Sequence, residues 1–258
     1  MHERLSEEVK SFAAQKGAHI VGIAAANRFS GAPKGHRPAD LLPEAKSVVC
    51  FGMRFFQTIL DNDHLCDDSE IVTEEQKADL KRFMFRWMYE TDNSAMQVIG
   101  IHIAHFLADK GHRSMPLPSS GWAGGPANVE GRSARHGLFS HRHAAVLAGL
   151  GEIGLNNLFL TPKYGPRVRL NSVLTTAQLK ADPLLEERVC LGADRCGLCL
   201  KAACFGEVGE WDVGGSKTPV AKLLRCNGLE EGCPDSGGQR LPTTRYCWSI
   251  CPIGQASG

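Results

Sequence analysis

The sequence predicts an α/β chain in two unequal parts. Helix-period and strand-like stretches alternate through residues 1–182. Eight of the ten cysteines crowd into the last quarter, at 190, 196, 199, 204, 226, 233, 247 and 251, and 258 residues suit one medium domain followed by one small one. The first domain is therefore drawn over 1–182 and the second over 183–258. The formal charge of +1 gives no global basic field to recommend a nucleic-acid partner. The start, MHERLSEEVKSF, carries charges where a signal peptide needs an apolar run, and no apolar stretch reaches the length of a membrane span. The expectation is a cytoplasmic protein without a membrane partner.

In the first part each element has a local reason. Ser6 to Lys16 reads as an amphipathic helix, with Ser6 as N-cap, Val9, Phe12 and Ala13 on one face, and Gly17 as the left-handed stop. Residues 18–24 read as a strand, and 47–52 as a buried strand in which Cys50 is a small apolar core residue. Between them, Lys34, His36 and Arg37 fall in a turn-rich, solvated loop. Cys66 sits in an acidic loop and is not read as a ligand. A long helix follows from Thr73 as cap, with Glu74 and Glu75 well placed near its N-terminus. It is expected to pause near Glu90, restart at Asn93 and run to Gly111. His102 and His105 lie three apart on it, but no third ligand follows in register, so they read as core or surface histidines.

Residues 115–135, rich in Pro, Gly and Ser, have the length and composition of a binding loop. The densest polar patch of the first domain comes next, Arg132, Arg135, His136, His141, Arg142 and His143, before an apolar helix expected over 144–150. Cations at a helix N-terminus oppose its dipole, so the patch asks for an anion such as a ligand phosphate or carboxylate, or for full solvation. The run Gly149-Leu-Gly-Glu-Ile-Gly154 matches G-x-G-x-x-G, but it closes a helix instead of opening one after a strand, which argues against a dinucleotide site. Residues 158–160 and 168–175 read as the strands of a hairpin, joined by the turn Thr161–Arg167, with Arg167 and Arg169 on a polar edge.

The cysteines carry the chemistry. A [4Fe-4S] cluster needs four thiolates converging on one small cube, so its ligands come as a tight run plus one distant cysteine, often followed by proline. Cys190-x5-Cys196-x2-Cys199-x4-Cys204 is one run; Cys247-x3-Cys251-Pro252, with Cys226 and Cys233 upstream, is another. Two-cluster ferredoxins exchange the last cysteine of each run. By that logic Cys190, Cys196, Cys199 and Cys251 hold one cluster, and Cys204, Cys226, Cys233 and Cys247 the other. Structural zinc on Cys-x2-Cys pairs and disulfides are the competing readings.

The order of these motifs resembles the corrinoid-dependent reductive dehalogenases and epoxyqueuosine reductases. The resemblance rests on Ala148-Gly-Leu-Gly-Glu-Ile-Gly154, Thr161-Pro-Lys-Tyr-Gly-Pro-Arg-Val-Arg169, Val173-Leu-Thr-Thr176, the two cysteine runs, and the early Val21-Gly-Ile-Ala24 and Leu42-Pro-Glu-Ala-Lys-Ser-Val48 segments. It implies a nitroreductase-like, cobalamin-binding first domain and a ferredoxin-like second domain whose two [4Fe-4S] clusters pass electrons to cobalt. Function is then expected as a cobalamin-dependent iron–sulfur reductase acting on a small molecule, fed by an external electron donor such as ferredoxin or flavodoxin. Tyr164, His141 and His143 are the candidate proton donors, because Tyr and His deliver protons near neutral pH. Arg135, His136, Ser140, Arg142 and Arg167 are the candidate corrinoid-binding residues. The chain departs from the family pattern at Phe205, where a proline would follow Cys204, at Thr244, where a cysteine would stand, and over 135–143, which lacks an acidic residue. The alternatives are a corrinoid reductase or electron-transfer protein without organic turnover, a flavin protein of nitroreductase type, and epoxyqueuosine reductase itself.

Overall fold

The computed structural model describes residues 2–60, 73–119, 138–201, 205–213, 216–223 and 250–255. Along the chain these form α1 (His2–Gln15), β1 (Ile20–Ala25), α2 (Pro38–Leu41), β2 (Ser47–Arg54), α3 (Gln57–Leu60), α4 (Glu74–Ala108) and β3 (Ser114–Pro116). There follow α5 (His141–Leu147), β4 (Glu152–Ile153), β5 (Phe159–Leu160), β6 (Val168–Thr175), α6 (Gly192–Arg195), β7 (Phe205–Val213) and β8 (Ser216–Leu223).

An antiparallel sheet in the order β1-β2-β6-β3 forms the centre. β2 and β6 lie inside it, and both are buried along nearly their whole length, as strands covered on both faces must be. Strand alternation divides their side chains between two cores. Val49, Phe51 and Val173 pack with Val9 and Ala13 of α1 and Met96, Ile99 and Ile103 of α4. Val48, Cys50, Leu170 and Leu174 pack with Ala144, Ala145 and Leu147 of α5. Cys50 is fully buried, and that burial pushes its thiol up to about 12, so it is the inert core residue its sequence context suggests.

Several local expectations change. Ser6 lies inside α1, not at its start: its hydroxyl donates to His2 O at 2.7 Å and accepts from Lys180 N at 2.7 Å. Thr73 does cap α4, in a reciprocal box with Gln76. The expected pause at 91–93 is absent, and α4 runs unbroken for 35 residues, about 52 Å. Asp92 and Asn93 are buried instead of breaking the helix. α5 starts three residues earlier than expected, with Ser140 accepting from His143 N as N-cap, and takes His141, Arg142 and His143 into its first turn. Gly149 follows the end of α5 with φ +72°, and a Cβ there would stand 2.0 Å from Pro183 O. Only glycine fits, and the G-x-G-x-x-G run indeed closes a helix. β5 and β6 are not hairpin partners: β5 pairs with β4, while β6 joins the central sheet. The β7–β8 hairpin, between the two cysteine runs, was not anticipated. Among the described residues no helix is long and apolar enough to cross a membrane.

Candidate functional site

The start of β6 is where the C-terminal tail meets the central sheet. The turn before it is closed by Thr161, whose Oγ1 accepts from Tyr164 N at 2.8 Å and whose backbone bridges to Gly165. This turn packs directly on the C-terminal tail. A Cβ on Gly165 (φ +53°) would lie 1.9 Å from Ile253 O, and one on Gly254 (φ +68°) would lie 2.2 Å from Gly165 N. Two facing glycines in left-handed conformation are what such a backbone approach requires. Arg167, only 3% exposed, completes the joint by donating to Ile253 O at 2.7 Å and to Cys251 O at 2.6 Å. Its guanidinium therefore ties in the cysteine tail from two sides.

Across that joint, Cys190, Cys196, Cys199 and Cys251 line one cleft, walled by Leu155, Leu160 and Ile253. Cys190 arrives because Glu152 accepts from the backbone N–H groups of Val189 and Cys190, and Arg188 pairs with the other carboxylate oxygen at 3.1 Å. The Cys190 sulfur accepts from Leu155 N at 3.5 Å. Burial first, then its cysteine neighbours, pushes Cys199 up to about 11, and burial also raises Cys251. Thiols that suppress one another's ionisation become thiolates together only when positive charge enters among them, so the donor set fits an iron–sulfur cluster. Among the described residues no three His, Cys, Asp or Glu side chains are gathered tightly enough for one ion. Cys204, Cys226, Cys233 and Cys247 lie outside the described residues, as do Cys66, Arg135 and His136.

The remaining sequence candidates sit on or beside α5. His141 is held at both nitrogens: Nε2 donates to Pro118 O at 2.9 Å, which leaves Nδ1 to accept from the Ser172 hydroxyl at 2.9 Å. Burial pulls its pKa down to about 4, so it is a neutral pin between α5, β6 and the 117–119 segment. His143 Nδ1 lies 2.6 Å from Ser140 Oγ, and burial, then Arg142, lowers its pKa. Arg142 donates to the backbone and side-chain oxygens of Asn157. Tyr164 packs partly against the core beneath α5, with Lys163 Nζ 5.2 Å from its ring centroid.

On the other face of β6 the structure holds a polar nest that the sequence did not announce. The Arg169 guanidinium lies 4.0 Å from the centre of the Tyr89 ring and donates to Asn93 Oδ1 at 2.9 and 3.2 Å. Ser119 donates to Asn93 O at 2.8 Å. Beside them Asp92 is 3% exposed, and its Oδ2 is buried without a hydrogen-bond partner among the described residues. Burial raises its pKa to about 6, against the opposing pull of Arg169. One sequence signal could have found it: Phe85, Met88, Asp92, Met96 and Ile99 follow the buried phase of α4, so a carboxylate stands in an apolar stripe.

Among solved structures, this fold recurs in proteins named as reductases. No family model matches the chain. The chain is 31% identical over 120 residues to epoxyqueuosine reductase from Bacillus anthracis, a match covering 45% of this chain and 30% of that protein, and it matches the Bacillus cereus enzyme equally. In structure it matches an epoxyqueuosine reductase bound to an epoxyqueuosine-modified tRNA-Tyr stem loop, with TM-score 0.56 at 20% identity, over 98% of this chain and 66% of that one. It also matches a catabolic reductive dehalogenase in complex with 3-bromo-4-hydroxybenzoic acid, with TM-score 0.61 at 16% identity, over 99% of this chain and 32% of that one. The resemblance read in the motif order holds, and the proteins on both sides of it are named reductases. The chain spans about a third of the length of the curated relatives and under two thirds of the solved ones. The tRNA-bound structure overturns one expectation, that of a small-molecule substrate and no nucleic-acid partner. The nucleic-acid part of that expectation leaned on the net charge, which averages over the surface and is blind to a local binding face.

Proposed function

We propose that this chain is a cobalamin-dependent iron–sulfur reductase whose substrate class is an epoxide-bearing nucleoside of tRNA, as the name epoxyqueuosine reductase describes for its relatives. The observation that carries this reading is the convergence of Cys190, Cys196 and Cys199 with Cys251 in one cleft against the Tyr164 turn. When bound, two [4Fe-4S] clusters and a corrinoid would supply low-potential electrons; Cys204, Cys226, Cys233 and Cys247 are the proposed ligands of the second cluster.

The chain's own residues do the rest. Arg167 and the facing glycines hold the cysteine tail against the sheet. Ser140, His143 and the Tyr164 turn, with Arg135 and His136, are proposed to hold the corrinoid on the α5 side, where the same apolar core backs both α5 and Tyr164. Tyr164, through its hydroxyl, is a proposed proton donor there. His141, saturated by Pro118 and Ser172, keeps the start of α5 in register with β6.

The test is anaerobic. Reconstituted protein is loaded with cobalamin, reduced with titanium(III) citrate and mixed with an epoxyqueuosine-modified stem loop. The expected result is a loss of one oxygen from the RNA by mass spectrometry. Bound cobalamin that is reduced stoichiometrically, with the RNA unchanged, would instead identify a corrinoid reductase.

A further inference from the structure

We propose that Asp92 is an acid of this site, a buried carboxyl group that supplies a proton to the reduction. The inference rests on the reading of the chain as an epoxide reductase. Removing an epoxide oxygen as water breaks both C–O bonds, forms a C=C bond and consumes two electrons and two protons. The electrons come from a low-potential one-electron reductant through the cysteine-held centres; Asp92 supplies one proton and solvent the other.

The geometry points to this residue. A buried carboxylate oxygen without a partner is costly, the more so when charged, and calls for a specific reason. Asp92 Oδ2 is such an atom, while its neighbours are already engaged. Arg169 is spent on Tyr89 and Asn93, and Ser119 on Asn93 O. The charged and titratable groups around it are Tyr89 on α4, Arg169 on β6 and, across Arg169, His141 on α5, which stays neutral. The nest also adjoins the end of β6 against which the cysteine tail docks. Arg169 is two residues along β6 from Arg167, about 7 Å of strand, and Arg167 grips the tail that brings Cys251 to the cleft. The segment 117–119 contacts both Asn93 and His141, so its polar groups tie the nest to the start of α5. Electron and proton sources thus stand at the same end of one strand. An acid with its ordinary proton affinity would be of no use here. Burial sets that of Asp92 near 6, the range in which a donor can both hold and release a proton.

Two readouts on the reconstituted protein test it. Infrared spectra across pH 4–8 should show a protonated-carboxyl C=O band that fades with a midpoint near 6, is missing in Asp92→Asn, and moves to higher pH in Arg169→Gln, where the opposing cation is gone. In the stem-loop assay Asp92→Asn should lower kcat at least about 100-fold, with KM, iron content and cobalamin binding within about threefold of wild type. Asp92→Glu should restore part of the rate. A carboxyl ionised throughout this range overturns the proposal, and so does an Asp92→Asn protein that keeps the wild-type kcat. If wild-type protein leaves the stem loop unchanged, the substrate reading fails. Asp92 is then judged by the infrared band alone, whose absence overturns it and whose presence with the stated shifts supports it.

Discussion

Arg167 and Arg169 sit two residues apart on one strand segment, and their surroundings are opposite in kind. Arg167 donates to two backbone carbonyls, Cys251 O and Ile253 O, and two glycines bring the backbones together. Around Arg169 the partners are side chains, an aromatic ring and an amide, and the nearby Asp92 keeps one buried oxygen without a hydrogen-bond partner among the described residues. The first region is a joint and the second is a reservoir. Saturated hydrogen bonding fixes a position, whereas an unsatisfied titratable group stores a chemical capacity at the expense of stability.

Substituting the two arginines separately should break this contrast most visibly. Arg167→Ala removes charge-assisted hydrogen bonds to two buried carbonyls, a loss of about 3 kcal/mol or more. It should release the tail, with loss of the iron that depends on Cys251, measured anaerobically against wild type. Arg169→Gln should leave iron content unchanged. Equal iron loss in both variants would erase the distinction between joint and reservoir.

The pH dependence of stability sharpens it further. Asp92 has its folded pKa raised from 3.8 to about 6, so the stability linked to its proton is full below about pH 4 and is lost as pH rises through 6, on the order of 3 kcal/mol. His141 runs the other way. Its pKa is depressed from 6.5 to about 4, so its contribution is full above pH 6.5 and is lost as pH falls through 4. Asp92→Asn should therefore raise the unfolding temperature at pH 8 and leave it nearly unchanged at pH 4. A uniform shift at both pH values would mean that Asp92 acts only through packing.

Ser119→Ala should have the smallest effect, about 1 kcal/mol for a single hydrogen bond to Asn93 O. Denaturant unfolding measures it, and a loss as large as that of Arg167→Ala would show that the nest, too, is a structural joint.

Much of the joint was legible in the chain. The spacing Cys190-x5-Cys196-x2-Cys199 with a distant Cys-Pro reads as a converging set because the spacing itself is the chemistry, and the cleft brings those same four together. The hydrophobic run of β2 and the Thr73 cap were local signals of the same sort. The nest was not legible, because Thr91-Asp92-Asn93 are weak helix formers and locally argue for a break. What keeps α4 continuous there comes from residues far away in sequence: Arg169 on Asn93 and Ser119 on its carbonyl. The same reason moved His141 from candidate acid to pin. Its partners, Pro118 and Ser172, are set by the sheet and not by the local sequence. The exclusion of nucleic acid leaned on net charge, which is a sum, whereas recognition is local.

The most direct measurement is the anaerobic metal and cofactor content of purified, reconstituted protein, with its absorbance spectrum before and after addition of cobalamin. The account predicts about eight irons and eight acid-labile sulfides per chain, one bound corrinoid, and a fall to about four irons in Cys199→Ala with no change in Cys50→Ala. Stoichiometric zinc, a flavin spectrum, or four irons or fewer in the wild-type chain would contradict it.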